Sequence, residues 1–139
     1  MKDRWLAYLI FRLALGINIF IHGTVRIFGP GAHEFASSTA KTFHSTPLPF
    51  WAVYGFLSVL PFLETVLGCL VAIGLFTRWS LVAGGLLIAI LIFGTALQSD
   101  WPTVGVQMIY SMSYFALLYH LDQNAMSLDA FRTRIDREQ

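Results

Sequence analysis

Residues 5–28 read WLAYLIFRLALGINIFIHGTVRIF. Leu, Ile, Phe and Ala dominate this stretch, and its 24 residues exceed the roughly 20 needed to cross a bilayer as a helix. It nevertheless contains Arg12, Asn18, His22 and Arg26. An Arg at the bilayer centre costs about 2.5–3.5 kcal/mol on insertion scales, so such a helix must turn its polar groups toward protein or water. At 100° per residue, Arg26, His22 and Asn18 fall about 40°, 80° and 120° to one side of Arg12. The four polar side chains therefore share about a third of the helix surface. Leu6, Leu9, Leu13, Ile17 and Phe20 form the opposite face, and Gly16 and Gly23 lie near the polar stripe, where they permit close approach of a second helix.

The rest of the chain has the same character. Of 139 residues 56% are hydrophobic and 12% charged, with a mean hydropathy of +0.64, a composition that points to a membrane protein. The formal charge of +1, with no cluster of basic residues, gives no footprint for nucleic acid. A single cysteine, Cys69, excludes an internal disulfide or a CxxC pair and reads as a small packed residue. Lys2 and Arg4 precede the first apolar run as in a signal peptide. The run is too long for a signal core and carries Arg12, so it is expected to remain as an uncleaved first span.

Three further spans follow, at about 50–76, 80–98 and 104–121, giving an all-α, four-helix integral membrane bundle formed as one domain over residues 1–139. The 29–49 loop opens with Gly29-Pro30-Gly31, which stops the first helix. Within it Phe35, Ala36, Thr39, Ala40 and Phe43 recur at helical spacing, so it reads as a short surface helix or a plain loop. Trp51 and Tyr54 resemble interfacial anchors for the second span, and Pro61 predicts a kink within it. Thr77-Arg78-Trp79 and Ser99-Asp100-Trp101-Pro102 serve as short turns, making the later spans antiparallel neighbours. Lys2, Arg4, Arg78, Arg132, Arg134 and Arg137 fall on one side of this arrangement and Lys41 on the other, with Arg26 near the boundary. Both termini and the 122–139 tail are then cytoplasmic. Ser127 is placed to cap a short tail helix with Leu128, Phe131 and Ile135 on one edge.

Glu64 is the only acidic residue inside a span. With the outer ends of spans one and two set flush, Glu64 and Arg12 lie about 21 and 24 Å below them. Their matching depth predicts a buried ion pair, Arg12–Glu64, that docks the two helices; a proton-handling role for Glu64 is the alternative. Gln107, Tyr110, Ser111 and Tyr114 share one face of span four. They are expected to meet Asn18, His22 and Arg26 in the outer half of the bundle, in a pocket walled by Trp51, Tyr54 and Phe residues. This pocket reads either as a small-molecule site or as interhelical hydrogen bonding. His22 and His120 lie at opposite depths and cannot share a haem iron. His33 and His44 lack the partners a metal site needs, so no metal is expected.

Several of these residues carry a resemblance. Arg12-x-x-x-Gly16, His22-Gly23-x-x-Arg26, the Gly/Pro and Phe-containing loop, Glu64, and Gly74-Leu75-Phe76-Thr77-Arg78-Trp79 together resemble the DoxX family of small four-helix bacterial membrane proteins, over about residues 5–98. Many members of that family have Lys where Arg26 stands. Its relatives include the membrane subunit of thiosulfate:quinone oxidoreductase, and others are linked to redox stress or to catechol and quinone handling. The resemblance implies a multi-pass protein of the bacterial inner membrane, and it carries over no catalytic residue.

The expected function is a membrane subunit of a redox system that binds quinone or quinol between helices. His22 and Tyr114 would bond the ring carbonyls, and Arg26 would favour an anionic quinol or sulfur substrate. No covalently bound cofactor is expected; a cofactor-bearing partner subunit is. A non-catalytic scaffold within a larger membrane complex is the alternative, and a small proton-coupled transporter using Glu64 is a third reading.

Overall fold

The computed structural model describes residues 2–138. Six α-helices follow one another: α1 (Lys2–Phe28), α2 (Ala32–Lys41), α3 (Phe50–Ile73), α4 (Thr77–Leu97), α5 (Trp101–Tyr119) and α6 (Leu128–Glu138), with a 3-10 turn at Leu121–Gln123. No strand occurs among the described residues. By length and composition α1, α3 and α4 are each able to cross a membrane. The side chains of Lys2 and Arg137, counted above among the cytoplasmic charges, lie outside the described residues.

The packing is set by α1 against α3, the most extensive contact between elements, with α4 joining α3 to α5 and a slighter contact closing α5 on α1. Glycines fix the first of these. A Cβ on Gly16 would fall 2.7 Å from Ala72 Cα, and one on Gly68 would fall 2.6 Å from Phe20 Cα. Gly23 abuts Pro61 and Thr65. The backbones touch at these points, as small residues allow between apolar helices. They also define the register: residues 22–23 of α1 stand level with Glu64. Helices set flush at residues 28 and 50 would instead place Glu64 level with residue 14, so α3 is displaced by about 13 Å at 1.5 Å per residue.

The displacement leaves the first turns of α3 projecting past the end of α1, and α2 fills the space. Ala36 and Ala40, 0% and 1% exposed, pack with Val53, Leu57 and Leu60 of α3 and with Leu87 of α4. Residues 32–41 are thus a helix packed on α3. A second core cluster joins Tyr8, Leu15 and Ile19 of α1 to Val71, Leu81, Ile88, Tyr114 and Leu117. Large apolar side chains such as Ile10, Ile17, Val66, Leu86 and Ile109 face outward, as a lipid-facing surface requires.

α3 runs unbroken through Pro61, and the Thr65 hydroxyl donates to the Pro61 carbonyl at 2.8 Å. The helix stops three residues short of the expected Phe76. Gly74 takes the left-handed conformation at φ 70° that only glycine adopts without strain, and the amides of Gly74 and Leu75 both bond to Leu70 O. The turn is therefore Gly74–Phe76, and Thr77-Arg78-Trp79 opens α4 instead. Distant in sequence, Asp129 caps that helix. Its carboxylate accepts from the Phe76 and Thr77 amides (2.8 and 2.7 Å) and the Thr77 hydroxyl (2.8 Å). Burial pushes the Asp129 carboxyl up, but these bonds, with help from Arg132, outweigh it and hold it below the usual carboxylate range. Ser127 caps α6 as expected, accepting from the Ala130 amide at 3.2 Å.

Candidate functional site

Arg12 and Arg26, the two arginines within the apolar stretch of α1, have separate fates. Arg26 pairs with Glu64; Arg12 does not. Arg12, 2% exposed, donates to Val71 O at 2.8 Å, Ala72 O at 2.9 Å and Met126 O at 2.9 Å. The expected Arg12–Glu64 pair is thus corrected, for two physical reasons. Level with Glu64 stands residue 22–23, which puts Arg26 about 5 Å away along the axis and Arg12 about 16 Å. Long helical side chains also lean toward their own N-terminus. In antiparallel helices this carries Arg26 and Glu64 toward each other and Arg12 away. Arg12 instead reaches the last carbonyls of α3, where the helix dipole favours a cation, and ties them to the tail before α6. Gly74 is needed here for space too, since a side chain on it would run into the Arg12 guanidinium.

Arg26 lies at one end of a cavity of about 490 Å³ between α2, α3, α4 and the start of α5. Its walls are chiefly apolar, with Phe43, Ala52, Phe56, Leu60 and Phe93 among them. Phe35 of α2 covers Arg26, the guanidinium carbon standing 4.7 Å from the ring centroid, within range of a cation–π attraction. Glu64 sits behind Arg26 and is 6% exposed, against 28% for Arg26.

Gln107 also lines the cavity. Its amide nitrogen donates to Thr95 Oγ1 at 3.0 Å, and Thr95 in turn donates to Leu91 O at 2.8 Å. Having spent its proton on Leu91, the Thr95 hydroxyl can only accept. This fixes the Gln107 amide with its nitrogen toward Thr95. Its oxygen, Oε1, is buried with no hydrogen-bond partner in the protein. Buried carbonyl oxygens are rarely left so; this one is free to take a donor from an occupant.

The remaining expected pocket residues are not gathered around this space. Tyr110 donates to Asn18 Oδ1 at 3.1 Å and meets the His22 ring edge-on at 6.4 Å, closing the seam between α1 and α5. Asn18 and His22 are exposed, and Ser111 is half-buried. Tyr114 is 4% exposed and packs on Gly84, with no room there for a ligand. Trp51, expected in the pocket wall, is 77% exposed. The stripe on α1 is divided because α3 meets one flank of it and α5 the other. Of the seven candidates, then, Arg26 and Gln107 reach the cavity. Thr95 and the apolar wall from α4 went unread, because the part of α4 that lines the cavity, residues 90–95, carries no charge to draw notice. The residue pair Gln107 and Thr95, twelve positions apart across a short turn, was the available signal.

Among the described residues, no three His, Cys, Asp or Glu side chains converge.

The DoxX family model matches residues 7–97. The chain belongs to the DoxX family. The DoxX match runs from α1 to the last residue of α4, and so contains both arginines, Glu64, the Gly74 turn and most of the cavity wall, while Gln107 lies beyond it. Together with α1, α3 and α4 it makes this a multi-pass membrane protein. No curated protein matches the chain, and no solved structure does.

Proposed function

We propose that this DoxX-family protein is the quinone-binding membrane subunit of a redox system, holding a quinol-type ring in the cavity between α2, α3 and α4. The observation that carries the reading is the unpaired Gln107 Oε1 in a mostly apolar cavity that also presents Arg26. Small-molecule sites combine apolar walls with a few placed polar groups. A quinol hydroxyl donates to Gln107 Oε1. An oxygen of the ring accepts from Arg26, which gives one N–H to Glu64 and has others to offer. These residues bind and orient; electrons come from a cofactor-bearing partner subunit. In this reading α5 is the fourth crossing of a four-helix bundle in the bacterial inner membrane. The termini are cytoplasmic, and α2 covers the cavity on the far side.

The test uses purified protein and a short-chain benzoquinol, titrated by calorimetry beside its dimethyl ether. A site built to accept a hydroxyl proton rejects the analogue lacking it. Saturable binding of the quinol, at least tenfold weaker for the ether and for Gln107→Leu, is expected. Equal binding of quinol and ether, or none of either, removes the proposal.

A scaffold role within a larger complex is the second reading, favoured by the exposed Asn18 and His22 of α1. Polar groups at that depth are costly against lipid, and a neighbouring membrane subunit would cover them. The transporter reading is opposed by the bond from Arg26 to Glu64, which keeps the carboxylate engaged inside the protein.

A further inference from the structure

A second space opens at the opposite end of the molecule, between the first turns of α1 and the end of α5. It has a volume of about 470 Å³. Arg4, Tyr8, His120 and Asp122 line its polar part, and Phe11 and Ala116 its apolar part. Tyr8 is 6% exposed, yet its hydroxyl has no hydrogen-bond partner in the protein. Arg4 is exposed, and among the described residues the one ion pair is Arg26–Glu64, so none of their carboxylates binds Arg4. Trp79 and Tyr119 are 70% and 71% exposed at the same end, as aromatic side chains are at a membrane–water interface.

We infer that this groove binds the phosphodiester headgroup of a phospholipid, with Arg4 and the Tyr8 hydroxyl donating to the phosphate oxygens. A guanidinium and a phosphate form charge-assisted, often bidentate bonds, and the phosphate supplies the acceptor that the Tyr8 hydroxyl lacks. Acyl chains continue along Phe11 and Ala116 toward the bilayer interior. Asp122 at the same mouth donates no proton when ionised and repels a second negative charge. The site therefore suits the single charge of a phosphodiester better than the greater charge of a phosphomonoester. It is independent of the cavity at Gln107, which lies at the other end of the helices.

The experiment is native mass spectrometry of the full protein incubated in detergent with phosphatidylglycerol, phosphatidic acid, the water-soluble headgroup glycerophosphoglycerol, or inorganic phosphate. Retention of phosphatidylglycerol is expected to fall at least fivefold in both Tyr8→Phe and Arg4→Gln. It should stay unchanged in Arg78→Gln, a basic residue at the same end. Tyr8→Phe keeps the ring that fills the core, and an unaltered melting temperature separates lost binding from lost folding. Equal retention in all variants overturns the assignment. So does loss in Arg4→Gln alone, which leaves the Tyr8 hydroxyl without a part. Tighter binding of phosphatidic acid contradicts the phosphodiester, and binding of inorganic phosphate or the free headgroup as tight as that of the lipid contradicts the lipid.

Discussion

Which arginine serves Glu64 is open to a double-mutant cycle. Glu64→Gln, Arg26→Gln and Arg12→Gln would be made singly, and Glu64→Gln would be combined with each arginine change. The magnitudes follow from the register. Two unit charges interact by about 332/(ε·r) kcal/mol, so at ε of about 20 a contact near 4 Å amounts to roughly 4 kcal/mol and a separation near 16 Å to roughly 1 kcal/mol. Arg26 is partly exposed and Glu64 nearly buried, which reduces the first figure; measured couplings between contacting residues run at about 0.5–3 kcal/mol. The expected coupling is therefore about 2 kcal/mol for Arg26 with Glu64 and under about 0.5 kcal/mol for Arg12 with Glu64, where sites without shared partners add. Equilibrium unfolding in mixed micelles with increasing dodecyl sulfate reads both. A coupling for Arg12–Glu64 that equals or exceeds that for Arg26–Glu64 would refute the register and with it the placement of the cavity.

Other consequences are as direct. Arg12→Met removes three charge-assisted bonds to Val71, Ala72 and Met126 carbonyls and should cost about 3 kcal/mol or more in the same unfolding assay, with Arg12→Lys recovering part of it. Gly68→Ala, forced against the Phe20 backbone, should lower the melting temperature in detergent by several degrees, whereas Gly105→Ala, with open space around it, should gain about 0.5–1 kcal/mol from helix propensity. Asp129 is held below its usual range in the folded protein and titrates near 3.9 when free. Its contribution to tail docking is then fully present above about pH 4 and lost as pH falls through the lower folded value. Hydrogen exchange in residues 128–135 should accelerate there, and Asp129→Asn should exchange fast at neutral pH already.

Much of the fold could be read because bilayer length and helix-breaking residues are strong signals. Gly29-Pro30-Gly31 ends α1 within one residue, and the Ser127 cap was visible from its spacing. Register was not legible. Flush ends are the simplest assumption for antiparallel helices, and here they fail by about nine residues, since Gly16, Gly23 and Gly68 must meet backbone. The sequence marks Gly16 and Gly23 as points of approach, but one helix cannot say which residues of the other they touch, and Gly68 carried no such mark. The Arg12–Glu64 error follows from this one offset, and so does the misplaced pocket. Asp129 as the cap of α4 was hidden for another reason: it lies 52 residues from Thr77, and capping signals are read locally.

The offset also explains why α1 keeps both Arg12 and Arg26 within its apolar stretch. Flush helices would have let a single Arg neutralise Glu64 and left the other without a partner in hydrocarbon. With α3 displaced, the carbonyls that end α3 come level with the first half of α1, where Arg12 binds them and the tail together. Glu64 rises to meet Arg26 at the cavity. Each cation then has an anionic or dipolar partner at its own level, as burial in an apolar medium demands. The same displacement exposes the first turns of α3, and α2, bearing Phe35, Ala36 and Ala40, covers them. The cavity is thus the space left between a projecting helix and the short helix that roofs it. Shortening α2 by deleting one turn should therefore open the cavity while leaving the α1–α3 contact intact.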